Sequence, residues 1–260
     1  MKFDFIKLSF IQLSMAAFIC LALSACGTLK GSDDVRGESK IGARARSHTE
    51  LGAAYFQQNK LEIALDEFKY AAQIDPDYAQ AYNGLGLVYA ALGEDAKADG
   101  NFKKAIQIEP GNSESHNNYG SFLCARKRYD ESITHFLEAV KNPLYATPNL
   151  AYANAGICSV RKNDTKNAEI YLNKALQIEP LTHPAATQLA EIQLKRGDAT
   201  AANKTLQNAL VSSPNPETLW LGIKIARALE DKNSEASYAL QLRQQYPNSE
   251  QARILLSGQK

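Results

Sequence analysis

The chain has 260 residues, with 29 Lys and Arg against 28 Asp and Glu, a formal net charge of +1. A balance that even leaves no electrostatic footprint for nucleic acid or for an anionic lipid surface. Four histidines at positions 48, 116, 135 and 183 are scattered, with no H-x3-H, H-E-x-x-H or C-x-x-C pairing of the kind that sets up a metal site.

Residues 1–25 read as a secretory signal and are excluded from the fold. Lys2 and Lys7 make a short basic start, with Asp4 an unusual guest in it. An apolar run from Leu8 to Leu23, broken by Gln12 and two serines, ends in Ser24 and Ala25. Its uninterrupted part falls short of the roughly 20 residues that a spanning helix needs. The tetrad Leu23-Ser24-Ala25-Cys26 resembles the lipobox of bacterial lipoproteins, which implies that Cys26 is lipidated and becomes the mature N-terminus. The alternative is an ordinary signal with an unrelated cysteine, against which stands the position of Cys26 where the apolar run stops. Gly27, in place of aspartate, is similar to the outer-membrane sorting pattern of Gram-negative lipoproteins, which implies an outer-membrane anchor facing the periplasm. Without residues 1–25 the chain carries 27 basic and 27 acidic side chains. Residues 26–44 read as a flexible tether, because four glycines and many charges leave too little apolar surface to fold alone.

From Ala45 the chain repeats with a period of about 34 residues. Leu51, Gly52, Tyr55, Ala64, Phe68, Ala71 and Pro76 recur in register as Leu85, Gly86, Tyr89, Ala98, Phe102, Ala105 and Pro110. The period and pattern resemble the tetratricopeptide repeat (TPR), a helix-turn-helix unit. The residues make the same case physically. Gly52 and Ala64 let two antiparallel helices approach, Leu51, Tyr55 and Phe68 fill the space between them, and Pro76 and Pro110 stop the second helix. One pair cannot bury its apolar face alone, so several must stack.

The register predicts an all-α, right-handed superhelix of about six units: 45–78, 79–112, 113–146, 149–182, 183–216 and 217–250. A short capping helix follows at about 251–257. The third unit keeps Gly120, Phe136 and Ala139, and the fourth Gly156, Ala168, Leu172, Ala175 and Pro180. The fifth and sixth are degenerate, keeping Ala202, Leu206, Ala209 and Pro214, then Ala236 and Leu240, with Trp220 where the motif often has tryptophan. Two extra residues in NPLYATP predict a shift of the stack between the third and fourth units.

No catalytic constellation emerges. The glycines of residues 84–86 lie inside a helical repeat with no strand before them, so they are not a dinucleotide loop. Gly120-Ser121 lacks the second glycine of a nucleophile elbow. The acidic residues fall at helical spacing on solvent faces and turns. An enzyme, a cofactor and a small-molecule substrate are therefore not expected.

Cys124 and Cys158 lie late in the first helices of consecutive units, one repeat period apart. Neighbouring first helices pack at about 8–10 Å, so the two side chains could meet. In an oxidising compartment they form a bridge that braces the joint and makes a rigid two-lobed scaffold. The alternative is two buried free thiols filling small spaces.

The first helices are expected to line a concave groove with Phe56, Asn83, Leu87, Asn117, Ser121, Ile157 and Val160. Amides there suit the backbone of a bound peptide, and apolar pockets its side chains. The clamp that some relatives use for a C-terminal carboxylate is not matched in units one to three. The run Arg126-Lys127-Arg128 falls in a turn and reads as solvated.

Residues 116–158 carry NNYG-x-FLC, NPLY-x-TP and NAG-x-C, none of which the generic repeat requires. This segment resembles the PilF/PilW family of type IV pilus lipoproteins. The resemblance runs the length of the chain, strongest over 79–180 and weak in the last two units. It implies a pilotin-like role: an outer-membrane lipoprotein that binds secretin subunits, and other pilus proteins, and promotes secretin localisation or multimerisation. The competing expectation is a lipid-anchored scaffold for peptidoglycan enzymes.

Overall fold

The computed structural model describes residues 40–212 and 214–258. The signal segment, Cys26 and the tether up to residue 39 lie outside them. The described residues form thirteen α-helices and no strand. The helices pair as α1 (Lys40–Gln57) with α2 (Leu61–Ile74), α3 (Ala79–Ala91) with α4 (Asp95–Ile108), and α5 (Ser113–Ala125) with α6 (Tyr129–Ala139). Then come α7 (Pro148–Arg161) with α8 (Thr165–Ile178), α9 (His183–Lys195) with α10 (Ala199–Ser212), and α11 (Pro216–Ala228) with α12 (Lys232–Gln245). A last helix, α13 (Glu250–Leu256), lies against α11 and α12. The fold is an all-α TPR superhelix.

Local chemistry sets each turn. One residue at every junction within a pair adopts positive φ: Asn59, Gly93, Lys127, Asn163, Gly197 and Glu230. The amide after each donates back five residues, as from Lys60 N to Tyr55 O and from Arg128 N to Leu123 O, both 2.9 Å. This satisfies carbonyls that the ending helix leaves orphaned. Gly, and to a lesser degree Asn, tolerate that conformation, whereas Lys127 at 63° and Glu230 at 57° meet a Cβ clash. Between pairs, side chains open the next helix. The Asn112 carboxamide accepts from Ser115 N at 2.9 Å, and Asn215 with Thr218 forms a reciprocal capping box. Pro148, Pro184 and Pro216 stand in first turns, where a missing N–H costs nothing.

Consecutive odd-numbered helices from α1 to α11 touch one another, while no two even-numbered helices do. The odd row is therefore the tighter, inner layer and the even row the splayed outer one. Between the rows, Gly52, Gly86, Gly120, Gly156 and Gly222 each lie under the side chain sixteen residues on: Phe68, Phe102, Phe136, Leu172 and Tyr238. A Cβ on Gly86 would stand 2.7 Å from the Phe102 ring, which is itself fully buried and stacked on Tyr119 at 5.4 Å.

Four expectations are corrected. The helical part begins at Lys40 and not Ala45, because Gly42 and Ala45 are buried and the Arg44 guanidinium donates to the Tyr70 hydroxyl at 3.2 Å, docking the extra turn on α2. Leu51 is 45 % exposed, since no described helix precedes α1 to cover it, whereas its counterpart Leu85 is buried. The joint between the third and fourth units does not divide the stack. The spacing change is absorbed by a shorter α6, of 11 residues where the other even-numbered helices have 14, and by the loop 140–147. Ala155 and Cys158 of α7 pack on Phe136 and Cys124 across the joint, and the described helices form one compact unit.

The fourth correction is a second change of register. The positive-φ turn residue Glu230 comes 33 residues after Gly197, and the buried Leu242 comes 33 after the buried Ala209, so the sixth unit runs one residue ahead of a uniform period of 34. α11 begins at Pro216, 33 residues after the start of α9 at His183, against 34 from α3 to α5 and 35 from α7 to α9. Ala236 and Leu240, which a uniform period would place inside, are consequently exposed, Leu240 by 48 %, and Leu242 is fully buried instead.

Candidate protein-binding groove

The inner helices place the expected groove residues in three different surroundings. Phe56 and Leu87 are half-buried and pack on the Phe68 and Phe102 clusters, so part of each belongs to the core. Asn83 is buried and accepts from Asn118 Nδ2 at 3.4 Å, while the Asn117 carboxamide accepts from Asn154 Nδ2 at 3.1 Å. These amides join α3 to α5 and α5 to α7. At least one lone pair of each is committed to neighbouring helices, where a free amide row for a partner's backbone was expected. Ser121 is exposed and donates to Asn117 O at 3.0 Å.

Ile157 and Val160 form one wall of a pocket of about 340 Å³. Arg161 closes the end of α7, and His183, Thr187 and Gln188 of α9 line the opposite side. A second hollow of about 190 Å³ shares Thr187, Gln188 and Glu217 with the first and continues to Trp220 and Lys224 of α11. The expected residues thus do not converge: Phe56 stands on α1 at one end of the inner row, and Ile157 with Val160 on α7, three inner helices further along. The lining from α9 and α11 escaped the sequence reading because those units keep the packing positions of the repeat only weakly. Trp220 was the one signal that could have marked them.

The structure pairs the sulfurs of Cys124 and Cys158, with Cα atoms 5.9 Å apart inside the core cluster of the joint. Beside it, the turn Arg126-Lys127-Arg128 is not simply solvated. Arg126 Nε donates to Asp95 at 2.8 Å, and Arg128 Nη1 donates to Asp99 at 2.6 Å, so two of its three cations tie the third unit to the second. Asp99 also accepts from the Tyr119 hydroxyl at 2.8 Å and pairs with Lys103 at 2.6 Å. Burial pushes the Asp99 carboxyl up, but the bonds from Lys103, Tyr119 and Arg128 outweigh it and hold it down at about 2. Burial and the Asp99 charge push the Tyr119 hydroxyl well above the usual tyrosine range.

The histidines are also less scattered in space than in sequence. His116 and His135 meet between α5 and α6, and His116 Nε2 lies 3.0 Å from Pro110 O. No group of three or more His, Cys, Asp or Glu suited to a metal ion occurs among the described residues.

A row of packed helix pairs with an open inner groove and interlocked side chains defines a repeat scaffold for protein–protein contact. Tetratricopeptide-repeat models match residues 79–112, 101–134 and 151–180, and a further TPR-repeat model matches 52–93. Over 240 residues the chain is 28 % identical to the type IV pilus assembly protein PilF of Pseudomonas aeruginosa, covering 92 % of this chain and 95 % of that protein. The solved structure of Pseudomonas aeruginosa PilF superimposes with a TM-score of 0.75 at 29 % identity, over 85 % of this chain and all of that one. That of PilW, a widely conserved type IV pilus biogenesis factor, superimposes with a TM-score of 0.72 at 31 % identity, over 84 % of this chain and all of PilW. The chain belongs to the PilF/PilW family of tetratricopeptide proteins of type IV pilus biogenesis. Its part in that process is carried by protein–protein interaction.

Proposed function

We propose that this protein is a pilotin: an outer-membrane lipoprotein, anchored through acyl chains on Cys26 and facing the periplasm, that binds secretin subunits and promotes their localisation or multimerisation. The observation that carries the reading is likeness over the full length of PilF and PilW, and not over isolated repeats. Acyl chains contribute roughly 0.8 kcal/mol per buried CH₂, and two or more together hold a protein at a bilayer without a spanning helix. Residues 27–39 then give reach, and the inner groove holds a segment of the partner. Tethering converts capture of each further subunit into an event at high effective concentration on the membrane where the ring must form. No cofactor and no chemical step enter this mechanism.

The test compares secretin multimers in fractionated membranes of cells lacking the protein and of cells carrying Cys26→Ala. Loss of multimers in the first, with misplaced or fewer multimers in the second, is the expected result. Normal multimers in the outer membrane of both strains would sink the reading, and co-purification with peptidoglycan enzymes would replace it with a cell-wall scaffold.

A further inference from the structure

We propose that the groove across α7, α9 and α11 binds an extended polypeptide segment that carries an acidic side chain next to an aliphatic one, with Arg161 holding the carboxylate and Ile157 and Val160 the aliphatic group. The inference rests on the reading of this chain as a protein-binding scaffold. It adds which half of the groove is used and what chemistry the segment must have.

Charge complementarity carries it. Four cations that join one helix pair to the pair before it have acidic partners: Arg126 with Asp95, Arg128 with Asp99, Lys162 with Asp130 and Arg196 with Glu169. Arg161 departs from that pattern. Its side chain lies on the 340 Å³ pocket, and its one polar contact among the described residues is the Cys124 sulfur at 3.9 Å. A guanidinium presents a planar fork of donors that suits a carboxylate two bonds at a time, and here no carboxylate of the stack occupies it. The wall next to it is aliphatic, which sets the second requirement on the ligand.

The shape of the site selects a polypeptide. The two hollows share Thr187, Gln188 and Glu217, so they form one groove running from Arg161 to Trp220. The Gln188 carboxamide makes no hydrogen bond among the described residues and stands between the hollows, where it can pair with one peptide group of a bound backbone. Side chains on one face of an extended chain repeat at about 6.5–7 Å. Neighbouring inner helices stand about 8–10 Å apart. About three residues of an extended segment therefore span the distance from one inner helix to the next. Glu217, which accepts from Gln251 at 3.4 Å, lines both hollows and repels an acidic side chain placed beside it, so the carboxylate of the segment must sit on the Arg161 guanidinium itself.

The sequence contains a single tryptophan, Trp220, and it lines the second hollow, so its emission reports occupancy directly. The experiment selects random 12-residue peptides, displayed on phage by their C-terminal ends, against the full-length chain in detergent. Recovered peptides are then synthesised with amidated C-termini and titrated against Trp220 fluorescence. The expected result is enrichment of Asp or Glu within two residues of Leu, Ile or Val, with a shift in emission on binding. Arg161→Glu should weaken binding at least tenfold and Arg161→Gln several-fold, while Lys127→Glu, a cation outside the groove, should leave it unchanged. Each variant is checked by thermal melting. Arg161→Gln removes the charge without reversing it beside the disulfide, so it decides the matter if the charge reversal disturbs folding. The proposal is overturned by peptides without acidic residues, by no enrichment at all, or by unchanged affinity in a well-folded Arg161 variant. None of these outcomes depends on the secretin. Normal secretin multimers in the deletion strain would instead remove the pilotin reading and leave peptide binding standing.

Discussion

The Nδ1 atoms of His116 and His135 face each other at 2.8 Å, with the Tyr119 ring 4.6 Å from that of His135. One Nδ1 must accept where the other donates, so the two Nδ1 atoms cannot both carry a proton in this geometry. Burial, followed by the adjacent His116, pushes His135 down to about 4, with Glu131 and Glu138 opposing weakly. Because the folded value lies below the unfolded value of about 6.5, this contribution is fully present above pH 6.5 and is lost as pH falls from there towards 4. Urea unfolding at pH 7.5 and pH 5 should differ by about 2 kcal/mol. Substitution of His135 by Gln should flatten that dependence. Asp99, held at about 2, stays ionised throughout the window and does not obscure it.

Asp99 is the point at which α4, α5 and the turn before α6 are joined. Asp99→Ala leaves the Tyr119 hydroxyl, on a residue only 2 % exposed, without its acceptor and frees Arg128 from one of its two carboxylates. The cost should be on the order of 2–3 kcal/mol in chemical denaturation, the range for bonds to charged groups and for a buried donor left unmade. Tyr119→Phe in the same background should recover part of the loss, because it removes the orphaned hydroxyl.

The change of register before the sixth unit separates two leucines that are near neighbours in the chain. Leu242→Ala should destabilise by roughly 2–5 kcal/mol, since it empties a fully buried site. Leu240→Ala should stay within about 0.5 kcal/mol, as surface substitutions do. The opposite order in thermal melts would restore a uniform period.

With Cys124 and Cys158 bridged across a sequence separation of 34, the closed loop should contribute about 4 kcal/mol on the chain-entropy model. Unfolding curves with and without reductant should separate by that amount, and denatured, unreduced protein should show two fewer titratable thiols than reduced protein. Superimposed curves with both thiols titratable would leave the cysteines as buried space-fillers.

The repeat was legible because it is local chemistry written many times. Gly86 under Phe102, Pro110 after α4 and Asn112 at the start of α5 act through neighbours within a turn or one helix pair, so their spacing alone announces them. Position along the repeat also brought Cys124 and Cys158 within reach, since late positions of adjacent inner helices must lie side by side. The family likeness was legible for a related reason: the joint and its flanking motifs depart from the generic repeat and therefore carry information that the fold does not require.

The sequence by itself determined the class of fold, the number of helix pairs and the turns between them, because these follow from short-range sterics and apolar periodicity. Only the tertiary structure decided where the groove opens and which side chains remain available on it. Asn83 and Asn117 looked like ligands for a partner and are engaged with Asn118 and Asn154 across the stack. Arg126 and Arg128 looked solvated and bind the unit before them. Arg161 had no distinguishing mark, yet it lies on the groove without an ion pair to any carboxylate of the described residues. Whether a polar side chain is committed or free depends on partners far along the chain, on the neighbouring helix pair, and the geometry of stacking, more than the residue type, settles that.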